Sequence, residues 1–251
     1  PGGTLENGVY NFIALGFDHA GNVHQSESIV TVDYHQTYVW NGAAGGAWEN
    51  AGSWTPNGIP GADDYVLINN GGTVTNNAVR SVYGFRAVNG TMTSSAGNSL
   101  TFTNDSTWTG GTMGGVWNNA AGATTVLNNA AVQSATPGAV LNNYGLLRND
   151  AGNFTTHNPI QQFAGGRIQN NSSIMYLSGG GTHYPGSVLD AASGSIYLHG
   201  GTHTFEGGSF TGNNWTYCTG GTMLVEGNVG SSTGAASGSF GVAGGTVTGT
   251  G

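Results

Sequence analysis

The sequence predicts an all-β protein whose main part is a parallel β-helix (β-solenoid) with coils of about 20 residues. Glycine supplies 47 of the 251 residues, and Asn, Thr and Ser fill much of the remainder, so helices are disfavoured. Hydrophobic residues make up 37% of the chain, which is too much for disorder. A Thr after Gly-Gly recurs at nearly even spacing. Short strands joined by Gly and Asn turns account for all three observations.

The charge of the chain excludes one class of partner. Only 6% of the residues are charged, Lys is absent, and the net charge is −8. Nucleic acid binding needs a basic face, so we predict no nucleic acid partner. No apolar stretch is long enough to span a membrane. The single cysteine, Cys218, cannot form a disulfide within the chain.

Residues 1–34 are predicted to form two strands and a turn. Apolar residues between Val9 and Phe17 precede the turn "DHAGN" (18–22), and "SIVTV" (28–32) follows it. Two strands alone are not stable in water, so this hairpin must dock on another part of the protein or on a partner.

The first hairpin also matches a known pattern, L-x-x-G-x-Y-x-F-x-A-x-x-x-D-x-A-G-N, between Leu5 and Asn22. In this respect it resembles the last two strands of bacterial immunoglobulin-like surface domains. The resemblance implies that residues 1–34 are the terminal strands of such a sandwich.

Residues 35–72 are predicted to be a Trp-rich cap followed by the first strand, "YVLI" (65–68). Trp40, Trp48 and Trp54 lie in Gly- and Asn-rich surroundings, and a Pro-Gly turn follows them. The end of a solenoid exposes its core and unpaired backbone groups, and bulky rings can cover both. We also consider these three Trp as possible assembly contacts. The segment resembles the opening of β-solenoid passengers in autotransporter-associated and haemagglutinin-like bacterial surface proteins.

Residues 73–251 are predicted to be the β-helix, truncated at its C-terminal end because a repeat opens at 244–251. The spacing rests on a Thr followed by an apolar residue or His, with clear intervals of 18, 21, 20, 20 and 24 residues. We expect Arg167 to take the Thr place in "GGRIQ" (165–169). The Thr positions are Thr73, Thr91, Thr112, Thr182, Thr202, Thr222 and Thr246.

The same alignment predicts which side chains point inward, because neighbours along a strand alternate between its two sides. The predicted inward residues after each Thr are Val74, Met92, Met113, His183, His203, Met223 and Val247, and those before Gly-Gly are Trp108, Leu177, Leu198 and Cys218. Recurrent Asn-Asn pairs are expected at coil corners, in left-handed backbone and with side chains bonded between coils.

His183 and His203 leave two interpretations open. They could ligate a metal, but they would need a third ligand, and His199 is expected to point outward. Alternatively, they are a buried pair in place of Met, which the pattern favours.

Two outward sets are candidate ligand faces. Tyr176, Tyr197 and Tyr217 share one position in three successive coils, and could bind sugar faces or simply stabilise the sheet. Glu206 and Glu226 also align, about 5 Å apart by the coil spacing. That spacing suits a retaining glycosidase pair or a Ca²⁺ site, but two solvated carboxylates are the favoured interpretation.

Thr-x-Thr steps at 73–75, 91–93, 202–204 and 246–248 suggest a further alternative, an ice-binding face. We expect these Thr ranks to be broken by Gly114, Tyr184 and Leu224. Because Thr also favours strands in general, the steps alone do not establish such a face.

Together these observations predict an extracellular structural or adhesive protein with no enzymatic activity and no cofactor. Calcium is possible but not indicated, since the calcium-binding repeat GGxGxD is absent. The expected partners are further copies, or adjoining segments of the same large protein, paired end to end. Glycans are the alternative, through a carbohydrate-binding or polysaccharide-cleaving module. The resemblance implies a location on a bacterial cell surface.

Overall fold

The computed structural model describes residues 8–42, 45–128, 131–132, 138–231 and 239–249. The chain divides into two compact units, Pro1–Gln36 and Thr37–Gly251. Leu5, the first residue of the pattern quoted above, lies outside the described residues, as do Pro1 and Gly251.

The first unit is an antiparallel hairpin of Gly8–Phe17 and Val23–Val32, as predicted. Asp18 holds the turn, because its Oδ1 accepts hydrogen bonds from the backbone N–H groups of Ala20 and Asn22. Apolar side chains are exposed on both sides of this two-stranded sheet. Val9 and Phe17 lie on one side, and Phe12 and Val30 lie on the other.

The second unit is a parallel β-solenoid of about eight turns with coils of about 21 residues, which confirms the predicted fold class. The strands of successive coils stack into sheets, which form three faces of the solenoid. Along the chain, each regular coil contributes one strand to face one, then one to face two and one to face three. Face one contains the strands Thr37–Trp40, Trp54–Thr55, Tyr65–Ile68, Gly84–Ala87, Ser106–Trp108, Thr124–Leu127, Leu146–Asn149, Arg167–Asn170, Val188–Asp190, Ser209–Thr211 and Gly230–Ser231.

Face two consists of two sheets. The first contains Gly46–Ala47, Thr73–Asn76, Thr91–Ser94 and Thr112–Met113, and the second contains Ala131–Val132, Phe154–Thr156, Ile174–Leu177, Ser195–Leu198, Trp215–Cys218 and Ser239–Val242. Face three is one sheet of Arg80–Val82, Ser99–Phe102, Val116–Asn119, Val140–Asn143, Ile160–Gln162, Gly181–His183, Thr202–Phe205, Thr222–Val225 and Thr246–Gly249.

The alternation of side chains confirms the predicted interior. The predicted inward residues are buried, with the exception of Val247 on the last described strand of face three, which is 43% exposed. Apart from His183 and His203, these buried residues belong to one hydrophobic cluster that extends along the solenoid from Trp40 to Met223.

The register corrects the Thr alignment. Thr73, Thr91 and Thr112 do pair in succession, but on face two, whereas Thr202, Thr222 and Thr246 pair on face three. Thr182 pairs with Thr204 and not with Thr202. A shift of two residues leaves every side chain on the same side of the sheet, so hydrophobic alternation cannot reveal it.

Arg167 is also placed differently from the prediction. It begins a face-one strand and pairs with Leu146 and Val188, so it does not occupy a Thr place. Its guanidinium lies outside the solenoid and contacts the carboxylate of Asp190 at 2.5 Å. Gly-Gly before a strand occurs on more than one face, which is why the motif alone misassigned this residue.

The Asn pairs do not adopt left-handed backbone, and their burial varies. Asn76, Asn119, Asn143 and Asn170 are buried, whereas Asn69, Asn70, Asn77 and Asn213 are exposed. Among the described residues other than glycine, only Ser173 has a positive φ, so the predicted left-handed Asn corners are wrong. Bonding between coils is confirmed at three places, namely Asn118 with Asn142, Asn119 with Asn143, and Asn149 with Asn170. The chain also has an Asn-Asn pair at 128–129, of which Asn129 lies outside the described residues.

The three Trp of residues 35–72 pack together beneath the first coils. Trp54 lies 4.9 Å from both Trp40 and Trp48, measured between ring centroids, and all three rings are buried. The strand Trp54–Thr55 pairs antiparallel with Thr37–Trp40 at the edge of face one. Since an antiparallel strand cannot continue a stack of parallel coils, it closes this end of the face.

Candidate functional site

The predicted tyrosine ladder lies on the outer surface of face two. Tyr176 pairs with Tyr197, and Tyr197 pairs with Tyr217. Their ring centroids lie 5.3 Å apart in both steps, with interplanar angles of 88° and 89°. The rings therefore meet edge to face, which is a favourable aromatic contact but does not create one flat surface along the ladder.

Trp215 extends this ladder, and the sequence analysis missed it. Its ring is nearly parallel to that of Tyr217, at 14° and 5.5 Å between centroids, and it is 43% exposed. Both rings lie against Gly241 in the next coil, where a Cβ atom would come within 2.9 Å of Tyr217 and 3.5 Å of Trp215. The two-residue spacing of Trp215 and Tyr217 was the signal that could have identified this pair.

A second aromatic column, also missed, follows the strands of face three. The ring of Phe163 stacks between those of Tyr144 and Tyr184, with centroid distances of 4.2 and 5.0 Å and interplanar angles of 5° and 17°. Each residue directly follows its strand. An aromatic residue after "NN", "QQ" or "TH" was the available signal.

Glu206 and Glu226 continue this aromatic column. The backbone N–H of Glu206 donates to the carbonyl of His183, and that of Glu226 donates to the carbonyl of Phe205. The N–H groups of Phe163 and Tyr184 donate in the same way to the preceding coil, to the carbonyls of Asn143 and Gln162. Both carboxylates are exposed. Glu206 and Glu226 therefore occupy the same position in successive coils, at the surface, as predicted.

The surroundings of the two carboxylates do not form an enclosed site. Glu206 lines an open depression of about 460 Å³ together with Pro185, Ser187 and Asn228, and no Arg or His lines it. Within the described ranges, no group of three or more His, Cys, Asp or Glu side chains is placed to hold a metal ion. Small-molecule sites usually enclose most of the surface of the ligand, which an open depression does not do.

Thr side chains form a small two-column array on the outer surface of face three. One column contains Thr202, Thr222 and Thr246, and the other contains Thr182, Thr204, Leu224 and Thr248. Leu224 interrupts the array as predicted, but Tyr184 does not, because the register places it beyond the strand. Gly114 follows Met113 on face two and interrupts the other Thr group.

His183 and His203 meet inside the solenoid. Nε2 of His183 lies 3.3 Å from Nδ1 of His203, and both rings are buried. Nδ1 of His183 lies 2.8 Å from Oε1 of Gln162, and Nε2 of His203 lies 3.0 Å from the carbonyl oxygen of Leu177. The ring of Phe205 stacks on His183 at 4.3 Å.

Register explains how the two rings meet. His203 pairs with Gly181, and His183 pairs with Phe205. Because Gly181 has no side chain, the inward position beside His203 in the preceding coil leaves space for the contact. Burial lowers the pKa of His203 to about 4 and holds the pKa of His183 well below its usual value of 6.5, with the charge of His203 a second cause for His183.

Comparison of the chain with protein-family models, with curated proteins and with solved structures gives no match in any of the three. Among the described residues, no helix is both long and apolar enough to cross a membrane. The resemblance to bacterial surface proteins therefore rests on the motifs quoted above.

Proposed function

We propose that this chain is a stiff structural or adhesive section of a larger bacterial surface protein. In this proposal its solenoid pairs end to end with adjoining coils or with another copy. The observation that carries the proposal is the stack of parallel coils, in which the backbone of each coil pairs with that of its neighbours along three faces. The Trp rings and an antiparallel strand close one end. On face three, Thr246–Gly249 is the edge strand among the described residues, and it pairs with Thr222–Val225.

The hairpin Gly8–Val32 supports a role in assembly. It exposes apolar side chains on both sides, and its two strands form a two-stranded sheet among the described residues, which is not stable alone. The motif between Leu5 and Asn22 supports an origin in an immunoglobulin-like domain. An extracellular location at the bacterial cell surface follows from the same resemblance.

Self-association tests the proposal directly. We expect wild-type protein to form concentration-dependent assemblies, seen as filaments or end-to-end rods by electron microscopy and as larger species by sedimentation velocity. Val247→Lys places a charge on the inward side of the edge strand and should prevent pairing. Thr248→Lys changes the outward side of the same strand and is the matched control. Monomeric wild-type protein at every concentration would exclude pairing between copies.

The Thr array on face three supports a second candidate, the binding of ice or ordered water. Coils repeat about every 4.8 Å, and alternate residues along a strand lie about 6.6 Å apart, so six Thr side chains form a regular grid. If this grid binds ice, wild-type protein should show thermal hysteresis, and Thr204→Tyr should abolish it. Thr93→Tyr, on face two, should have no effect.

A further inference from the structure

The protonation of the buried His183–His203 pair is constrained from both ends. At one end, the amide nitrogen of Gln162 donates to the carbonyls of Gly166 and Val188, at 3.0 and 2.7 Å. Because both of its N–H groups are used in this way, the Gln162 oxygen must be the atom that faces His183. An oxygen 2.8 Å from Nδ1 of His183 requires a proton on that nitrogen.

The other end of the pair imposes the same requirement. The Leu177 carbonyl can only accept, so Nε2 of His203 must carry a proton. A second backbone carbonyl, that of Gly200, also favours the protonated form of this ring. A neutral imidazole has only one N–H. With both rings neutral, Nε2 of His183 and Nδ1 of His203 therefore present lone pairs to each other.

The geometry between these two nitrogens fits a proton better than a metal ion. The ring planes differ by 21°, the ring centroids lie 5.6 Å apart and the nitrogens 3.3 Å apart. The centroid separation exceeds the nitrogen separation by 2.3 Å, which is about twice the distance from the centre of an imidazole ring to one of its nitrogens. The two nitrogens therefore lie on the line that joins the ring centres. A metal ion in line would need about 2.0 Å to each nitrogen, or about 4 Å in all, and a tetrahedral ion would need lone pairs that converge beside the line between the nitrogens. A gap of 3.3 Å accommodates N–H···N.

We propose that His183 and His203 form a buried site that binds one proton, shared between Nε2 of His183 and Nδ1 of His203. The added proton replaces the opposed lone pairs with a hydrogen bond and completes an unbroken chain from Gln162 to Leu177. The rings act as one unit because a second added proton would have no acceptor between them and would oppose the first charge.

The neighbours of the pair determine when it binds the proton. Among the described residues, no titratable group acts on either ring except the other ring of the pair. On the neighbouring face-two strands, Cys218 is bonded to the carbonyls of Gly221 and Thr246 and does not complete the chain. Without a nearby carboxylate, the buried charge is costly, so uptake occurs in acid and the site is unprotonated at neutral pH.

Nitrogen-15 NMR of histidine-labelled wild-type protein tests the proposal. At pH 7 we expect opposite tautomers, with the proton on Nδ1 in His183 and on Nε2 in His203. On acidification, the two facing nitrogens should change together, with one midpoint and the uptake of a single proton in the folded protein. Two separate midpoints, or an Nε2–H tautomer of His183 at pH 7, would overturn the proposal.

Two variants sharpen this test. Gln162→Glu places a carboxylate beside Nδ1 of His183 and should raise the shared midpoint by at least about 1 pH unit. His203→Phe removes the facing nitrogen, so His183 should no longer take up a proton before unfolding. Uptake by His183 at an unchanged midpoint in His203→Phe would show that the rings do not share the proton. The wild-type measurement stands without either variant.

Discussion

Asn119 and Asn143 occupy the same inward position in successive coils, and Nδ2 of Asn119 donates a 2.9 Å hydrogen bond to Oδ1 of Asn143. Nδ2 of Asn143 donates onward to the carbonyl of Arg167, and Oγ1 of Thr125 donates to Oδ1 of Asn119. Both Asn side chains are fully buried. Because a buried amide without partners is costly, these bonds favour one register between the coils.

The first prediction concerns this buried amide chain. Asn143→Ala leaves Nδ2 of Asn119 without its acceptor and creates a cavity, so we expect the free energy of unfolding to fall by about 2–3 kcal/mol. Asn142→Ala removes the half-buried outward neighbour, which bonds Asn118, and should cost less than about 1 kcal/mol. Urea unfolding measures both variants. Equal losses would contradict an energetic role for burial here.

Gly181 gives the second prediction. Its φ is +136°, and an added Cβ would lie 1.9 Å from the carbonyl oxygen of Ile160. Gly181→Ala should therefore destabilise the solenoid by more than the roughly 1–3 kcal/mol of backbone strain alone. Gly122→Ala is the control, since Gly122 also has a positive φ, +82°, but no atom lies within 4 Å of its Cβ position. Similar midpoints of thermal unfolding for the two variants would show that the close contact is relieved.

The third prediction is a dependence of stability on pH. The pKa of His203 is lowered to about 4 by burial, while in the unfolded chain it is near 6.5. The unfolded state therefore binds protons first as the pH falls. The free energy of unfolding should be greatest above pH 6.5 and should decrease between pH 6.5 and about 4, by on the order of 3 kcal/mol.

Variants separate this effect from other acid effects. His203→Gln should reduce but not abolish the slope of stability against pH in that window, measured by urea unfolding at several pH values, because buried His183 still contributes to it. His199→Gln, which changes an exposed ring, should keep the wild-type slope. The window lies mostly above the region in which Glu49 titrates, because the pKa of Glu49 is lowered from 4.5. A wild-type slope in His203→Gln would contradict the assignment.

The sequence was sufficient for the solenoid and for its interior, because period and alternation are both local properties of the chain. It correctly predicted that Met92, Leu198 and Cys218 point inward and that three Tyr share one column. It could not assign strands to faces, since Gly-Gly-Thr opens strands on face two and on face three. Neither could it detect the two-residue shift at Thr182, which preserves every inward position.

The candidate site was less predictable than the fold. Ring orientation depends on packing between coils, so the edge-to-face geometry of Tyr176 and Tyr197 has no counterpart in the residue pattern. The contact of His183 with His203 was expected from a register in which they are direct partners. They meet instead along a diagonal, because Gly181 occupies the place opposite His203.

The fourth prediction compares two Trp residues in opposite surroundings. Trp48 is fully buried, packs against Trp54, and donates through Nε1 to the carbonyl of Pro60. Trp48→Ala should therefore reduce the free energy of unfolding by about 3–5 kcal/mol and expose the first coils. Trp215→Ala removes an exposed ring that contacts Tyr217 and covers Gly241, a loss of about 1 kcal/mol or less.

Hydrogen exchange distinguishes a local from a global effect of the cap. If the three Trp stabilise mainly their own end of the solenoid, Trp48→Ala should increase exchange most at Tyr65–Ile68 and Thr73–Asn76. Exchange at Thr202–Phe205 should change much less, because each coil contacts mainly its two neighbours. Uniformly faster exchange along all coils would instead show that the solenoid unfolds as one cooperative unit, with Trp48 contributing to the stability of the whole.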